Sequence, residues 1–380
     1  MTSVTLFFSY GVSLKTWDES GFLSREYSYY KDLQEKGVQI QFLTYGDKSD
    51  YKFTAILGDI KIVPIYDTMR KSNYKIVNFL KSLMIPFVFK KHLNSTDIFK
   101  TNQIWGSWVA VIAKFLLKRP LLLRAGYDLY KNALLENMSK HKLLFIFLIS
   151  RLAYKAADFV WVPTKEISNF VECKHKIKSD KVMVFPNWID TDLFLDGLAE
   201  AIFADRVLYI GRLSPEKNIS LLISAMHGTN LGLDIVGEGI QKEQLIEEAR
   251  NSDLEIQFLG RMPNSDLPRL ISQYPIFVLC SNFEGSPKTL LEAMACGVSV
   301  IGTNKPGIKN VITHDKNGLL CECNSRSLRE AIMLLHKDKT KRKQLGQEAR
   351  KTIISDNSKV EAVSRELSVY KALLHCTDTK

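Results

Sequence analysis

A chain of 380 residues with 46% hydrophobic content is long for one core and carries enough apolar material for two. It bears 52 Lys and Arg against 41 Asp and Glu, a net charge of +11, and the excess is confined to the first half, with 28 basic against 17 acidic residues up to residue 190 and 24 against 24 beyond it. No uninterrupted apolar stretch approaches ~18 residues, which excludes a transmembrane helix, and no recognised RNA or DNA module accompanies the basic half, which excludes nucleic acid as its partner.

None of the six cysteines, Cys173, Cys280, Cys296, Cys321, Cys323 and Cys376, forms a C-x-x-C pair. Cys280 and Cys296 stand in apolar contexts where a thiol is a small hydrophobe, and Cys321-x-Cys323 is too little for a zinc site. A reducing, cytoplasmic setting is expected. The apolar N-terminal run Val4–Phe8 lacks a basic flank or cleavage site and reads as the first strand.

After that strand, Gly11 and Gly21 bracket a polar loop, SYGVSLKTWDESGFLSRE, which leads into a helix from about Leu23 to Lys36, stopped by Gly37. Val38–Leu43 gives a second strand, and this strand, loop, helix, strand order begins a doubly wound parallel sheet. From Arg70 to Lys91 (RKSNYKIVNFLKSLMIPFVFKK) basic residues alternate with large apolar ones, with a break expected at Pro86. Two readings fit this stretch: a basic amphipathic element on an anionic membrane surface, or a charged solvent face on a helix packed to the core. Lys140–Arg151 (KHKLLFIFLISR) is too short to span a bilayer and long enough to dip into one.

Strands at 97–101, 120–124 and 159–163, with helices near 107–117 and 164–172, extend the alternation to Lys181–Asn187. Beyond Asn187 it restarts. Arg206–Ile210 is a strand, followed by the loop GRLSPEKN (211–218) and a helix to about His227; Gly211 permits close backbone approach, and Arg212 and Lys217 share one loop that suits a diphosphate. Strands at 233–236 and 256–259 follow, the latter ending in Gly260-Arg261-Met262-Pro263. Pro275–Leu279 is a short buried strand, Gly285 and Pro287 break regularity, Thr289–Ala295 is made of helix formers, and Gly297 stops the helix. A helix start at the carboxyl edge of a parallel sheet offers unpaired N–H groups to a phosphate, and the carboxylates Glu284 and Glu292, eight residues apart, are suited to sugar hydroxyls.

The string EGSPKTLLEAMACG resembles the E-x7-E signature of retaining glycosyltransferases of the GT-B fold, the family 4 group. The resemblance implies two Rossmann-like domains facing a cleft, here 1–190 for the acceptor and 191–357 for the nucleotide sugar, with a last helix at about 358–376 crossing back to the first. It implies that Glu284 approaches the transferred sugar, Glu292 holds the ribose, and Gly285, Ser286, Pro287, Lys288 and Thr289 meet the diphosphate. Arg212 and Lys217 would neutralise the leaving nucleotide, with Gly211 letting the backbone approach the donor, and Arg261 and Met262 would seat the base. On the acceptor side it points to Trp17, Glu19 and Gly21 in the first loop; for Trp17 an ordinary half-buried aromatic is the other reading. Many members carry a histidine where this chain has Arg124-Ala-Gly-Tyr-Asp128, so Arg124, Tyr127 or Asp128 takes that space.

PNWIDTDLF matches the family's interdomain PNG-[VI]-D segment, with Trp188 in place of the glycine. Asp190-Thr191-Asp192 is a D-x-D that holds a metal in the other glycosyltransferase fold; its place after this segment argues against that role here. The resemblance therefore implies a metal-independent, cofactor-free transferase that takes a nucleotide-diphosphate sugar and a saccharide or lipid-linked acceptor in glycan biosynthesis, at the inner face of a membrane. A non-catalytic sugar-nucleotide-binding subunit and a sugar-nucleotide epimerase are the alternatives.

Overall fold

The computed structural model describes residues 1–136, 138–195 and 202–378. The chain divides into two compact units, the first made of Met1–Phe185 with the chain from Val363 onward, the second of Pro186–Ala362.

Unit 1 holds a seven-stranded parallel sheet. Its strands are β1 (Thr2–Phe7), β2 (Val38–Thr44), β3 (Lys61–Pro64), β4 (Ile98–Thr101), β5 (Leu121–Arg124), β6 (Phe159–Val162) and β7 (Val182–Val184), in the order β3-β2-β1-β4-β5-β6-β7. The central strands are short and largely buried on both faces, as helices covering both sides of a sheet require, with Lys100 of β4 among the buried side chains. Unit 2 repeats the plan with β8 (Arg206–Ile210), β9 (Gly232–Val236), β10 (Ile256–Gly260), β11 (Ile276–Leu279), β12 (Ser299–Thr303) and β13 (Leu319–Cys321), ordered β10-β9-β8-β11-β12-β13. In each sheet the order reverses once, between β1 and β4 and between β8 and β11. Two parallel-sheet α/β units are the expected fold class.

Two local expectations need correction, and one strand went unforeseen. The loop between Gly11 and Gly21 contains a helix, Leu14–Glu19, started by a capping box in which the Ser13 and Thr16 side chains each bond the other residue's backbone N–H. Strand β3 has only four residues and ends on Pro64, too little pattern to stand out in the sequence. Pro86 does not break its helix, which runs Lys75–Val88; Ile85 and Pro86 are buried, and Trp108 Nε1 donates to Ser82 Oγ at 2.8 Å, so tertiary packing holds the turn whose bond the proline removes.

The last helix, Lys359–Asp378, joins unit 1 through a buried charge network. Glu366 accepts from Lys100 Nζ on β4 at 2.5 Å, from Tyr29 Oη at 2.5 Å and from the Tyr370 hydroxyl one turn on. Lys100 and Glu366 are both fully buried. Burial lowers the Lys100 pKa, and the Glu366 carboxylate opposes that shift. Beside them Glu26 binds Arg25 at 2.6 Å and Arg124 at 3.3 Å. Burial alone would raise the Glu26 carboxyl pKa, but Arg124 and Arg25 overcome it and hold it at about 2.

The segment where the chain enters unit 2 is fixed to the segment where it leaves. Ile189 N–H donates to Asn357 O at 2.7 Å, Lys359 N–H to Ile189 O at 2.9 Å, and Lys359 Nζ meets Asp190 at 2.9 Å. Asp190 Oδ1 also accepts from the Asp192 and Leu193 N–H groups, so the first carboxylate of the D-x-D is engaged within the protein. Among the described residues, no helix is long and apolar enough to cross a membrane.

Removing one partner of a buried pair strands the other, so Glu366→Ala is expected to lower the stability of unit 1 by about 3 kcal/mol or more, read as a downward shift of its unfolding midpoint in urea. Glu26, with its folded pKa depressed from 4.5 to about 2, stabilises fully above the unfolded value and loses that contribution as pH falls from 4.5 through about 2. Glu26→Gln should therefore flatten the acid limb of a pH–stability curve by about 3 kcal/mol; an unchanged limb would refute the assignment.

Candidate functional site

Where the strand order of a parallel sheet reverses, the loops leaving two neighbouring strands part to opposite faces and open a crevice at the carboxyl edge. In unit 2 those neighbours are β8 and β11, and their loops carry the residues singled out in the sequence.

After β8 the chain turns at Gly211, whose N–H donates to Val236 O at 3.0 Å. Gly237 crosses it so closely, at φ +143°, that a Cβ there would lie 1.9 Å from Gly211 O. Pro215–Lys217 forms one 3-10 turn, closed by Lys217 N–H to Ser214 O at 2.9 Å, and Asn218 takes a left-handed φ of 53° before the helix Ile219–Met226. Cys280, at the end of β11, steadies this turn: its thiol donates to the carbonyls of Lys217 and Asn218, both at 3.3 Å. Burial pushes the Cys280 pKa up to about 12, so the donor keeps its proton.

The two loops meet at one ion pair. Lys217 Nζ lies 2.6 Å from Glu284 Oε1, and Ser281 Oγ donates to the same oxygen at 2.6 Å. Both charged side chains are mostly buried, with 18 and 10% exposure. The Glu284 backbone is held from the other side, its N–H donating to Pro306 O at 2.9 Å. Gly307 adopts φ +84°, and a Cβ there would lie 2.1 Å from Glu284 O, so only glycine lets the 303–308 loop pass. Thr303 Oγ1 bonds Ser281 O at 2.6 Å and locks the loop after β12 to the loop after β11.

Eight residues beyond Glu284, Glu292 lies inside the helix Lys288–Ala295 with its side chain only 1% exposed. Lys288, one turn earlier, reaches it at 2.8 Å, and Asn264 Nδ2 donates to it at 2.9 Å. Glu292 is thus no solvated helix position. The helix ends because Gly297, at φ +70°, lets the Val298 N–H return to Ala293 O. Of the remaining donor-side residues, Arg212, Arg261 and Gly285 are exposed, Ser286 and Thr289 half-buried, Pro287 is buried, and Met262 packs against the unit's core. Asn264 and Ser281 escaped the sequence analysis. Asn264 stands two residues past the Arg261-Met262 pair, in the same loop, and Ser281 three before Glu284; those positions were the available signal.

The acceptor-side expectations divide. Trp17 is 4% exposed and stacks on Phe8 with ring centroids 4.1 Å apart, so it is a core residue of unit 1. Arg124 is taken up by Glu26 in the buried network. Asp128 is 1% exposed; it caps the helix Leu129–Leu135 through the Lys131 N–H and accepts from Tyr154 Oη at 2.8 Å, with His175 Nε2 3.2 Å away. In this structure Trp17 is given to ring packing, and the Arg124 and Asp128 side chains are bonded to partners within unit 1. Glu19, in an exposed pair with Lys15, Gly21 at φ +71° and Tyr127, 40% exposed, remain at the surface.

The family described as "Glycosyl transferases group 1" matches residues 204–352, which contain every residue of the Lys217–Glu284–Glu292 arrangement. The N-acetylgalactosamine-N,N'-diacetylbacillosaminyl-diphospho-undecaprenol 4-alpha-N-acetylgalactosaminyltransferase of Campylobacter jejuni is 30% identical over 314 residues, 80% of this chain and 84% of its own length. A second Campylobacter jejuni enzyme, named as an alpha-1,4-N-acetyl-D-galactosaminyltransferase acting on a GalNAc-containing diNAcBac-PP-undecaprenol, is 25% identical over 77% of this chain and 80% of its own. Among solved structures, Anabaena HepE in complex with UDP superposes with a TM-score of 0.75, 18% identity and coverage of 98% of this chain and 100% of that one, which establishes the shared GT-B fold. By the length and identity of these matches, the chain belongs to the group 1 glycosyltransferases.

Proposed function

We propose that this glycosyltransferase moves a sugar from a nucleoside-diphosphate donor, of UDP or GDP type, to a saccharide carried on a polyprenyl diphosphate, with retention and without a metal. The observation that carries the reading is the Lys217–Glu284 pair at the strand-order reversal of unit 2, with Glu292 held one loop away. The Campylobacter jejuni relatives, named for undecaprenol diphosphate acceptors, support the acceptor class, and the UDP complex of HepE supports the donor class.

Physically, the arriving diphosphate competes with Glu284 for the Lys217 ammonium. The exposed Arg212 on the same loop adds a second cation. As Lys217 turns to the phosphates, Glu284 is released to accept hydroxyls of the sugar, so its carboxylate is presented only when a donor is in place. Glu292, backed by Lys288 and Asn264, offers its second oxygen to the ribose. In the chemical step the bond from the sugar C1 to the phosphate oxygen breaks, the acceptor oxygen bonds to C1 on the same face, and the acceptor proton passes to the departing diphosphate. Charge grows on that diphosphate, and the two cations, already placed, stabilise it more in the transition state than in the ground state. They supply what a metal supplies elsewhere, while Asp190 of the D-x-D is bound to Lys359. Unit 1, with the basic excess, supplies the acceptor side, at the inner face of a membrane.

Saturating UDP or GDP, at about 100 times its dissociation constant, should add about 2.7 kcal/mol and raise the melting temperature by several degrees. Glu292→Ala and the exposed-site variant Arg212→Ala should lose most of that rise while remaining folded. Transfer should fall ~100-fold or more in Lys217→Ala and persist in EDTA. Folded protein indifferent to every nucleotide would sink the donor site; donor altered in the absence of any acceptor would indicate an epimerase.

A further inference from the structure

Two helices of unit 1 expose what such helices ordinarily bury. In Lys75–Val88, Ser82, Ile85 and Pro86 face inward, while Ile76, Leu80, Met84 and Val88, each four residues from the last, are 66, 55, 52 and 46% exposed. In Lys140–Ala156, Ile146, Ser150, Ala153 and Tyr154 face inward, while Leu144, Leu148 and Leu152, at the same spacing, are 58, 48 and 65% exposed. A spacing of four places each set along one face of its helix, so each helix has two apolar faces and only one of them is packed. Both helices pack against a third, Ser107–Leu117, and they touch each other at one aromatic contact. The Phe79 and Phe145 rings meet with centroids 6.4 Å apart, and Phe79 also contacts Trp108, on a helix Ser107–Leu117 whose Phe115 is 68% exposed.

Charge selects the occupant. Residues 69–157 hold sixteen Lys and Arg and only three acids, Asp97, Asp128 and Glu136, so this segment more than accounts for the chain's net +11. Neither exposed-face helix contains an acid, Asp128 is buried, and Asp97 is bonded to the Ser3 N–H and hydroxyl. Exposed lysines stand at the helix ends, Lys75, Lys90 and Lys91 around the first and Lys140, Lys142 and Lys155 around the second. A second copy of this chain would bring the same cations face to face, an unfavourable arrangement. Anionic lipid fits both features, its acyl boundary taking the leucines and phenylalanines and its phosphates the lysines.

We propose that this side of unit 1, built on Lys75–Val88 and Lys140–Ala156 together with Phe115 of the helix against which both pack, is the surface by which the protein docks on an anionic bilayer. The inference deepens the proposal of a membrane-borne acceptor, yet its test needs no substrate. Vesicles of phosphatidylcholine with phosphatidylglycerol should co-sediment the full chain at least ~10-fold better than phosphatidylcholine alone, with the advantage lost in high salt. The double variant Leu80→Ser with Leu148→Ser, at exposed positions that leave the core intact, should weaken that binding ~10-fold with the melting temperature unchanged. Lys75→Glu with Lys142→Glu should abolish the preference for anionic lipid.

Failure to bind anionic vesicles, by protein that still responds to UDP, would overturn the surface and leave the transferase reading standing. Vesicle binding by protein that ignores every nucleotide would support the surface while defeating the donor site. Self-association that the Leu80 and Leu148 substitutions abolish would assign the face to a second copy and overturn the proposal.

Discussion

The contact on which the site of unit 2 depends is the ion pair between Lys217 and Glu284. It joins the loops after β8 and β11, which the reversal of strand order sends to opposite faces of the sheet. A mostly buried ammonium without a partner loses solvation, and in the proposed reading an unpaired carboxylate there would repel the donor's phosphates; pairing the two resolves both problems. Because Glu284 Oε1 accepts from both Lys217 and Ser281, while the Glu284 backbone is fixed to Pro306, the carboxylate has one defined position. In the proposed reaction the donor diphosphate would take the place of Glu284 on Lys217 while Ser281 and the Pro306 carbonyl still hold Glu284, so the exchange would cost little reorganisation.

Unit 1 uses buried charge differently. Glu366 and Lys100 have no solvent to exchange with, and their carboxylate and ammonium are bonded within the fold. An apolar pair of the same volume would often be equally stable, so the gain lies in specificity. A helix that carries Glu366 has one register on unit 1 in which its carboxylate meets both Lys100 of β4 and Tyr29. A slip of one residue leaves two charges buried and unpaired. That requirement fixes where the last helix seats on unit 1, although 177 residues of unit 2, Pro186–Ala362, intervene in the sequence.

What was legible in the sequence was local. Gly285, Pro287 and Gly297 announce a loop, a helix start and a helix stop within thirteen residues, and the structure has each of them. What was not legible depended on distant partners. Asn264 reaches Glu292 across 28 positions, and Arg124 reaches Glu26 across 98. A polar residue at the end of a strand looks the same in the sequence whether it faces a substrate or an internal carboxylate, and this ambiguity moved Arg124 and Asp128 from the expected acceptor side into the interior. Trp17 fell to the same cause, since nothing within its loop reveals that Phe8 will stack on it. Pro86 is the reverse case, a strong local signal outweighed by packing against the core of unit 1.

The same distinction separates the two kinds of basic residue in this protein. Lys217, Lys288 and Lys100 each have a carboxylate within 2.8 Å, so their charge is spent locally and adds little to the field outside. The lysines at the ends of Lys75–Val88 and Lys140–Ala156 stand on helices that contain no acid, beside leucines and phenylalanines in contact with water. Stability gives no reason for that combination, since cations on one surface repel each other and exposed leucines invite aggregation. A chain that balances its charges in unit 2 and around Glu366 leaves this one face unbalanced, and a surface both apolar and cationic is matched by a partner both apolar and anionic, which is what a lipid leaflet offers.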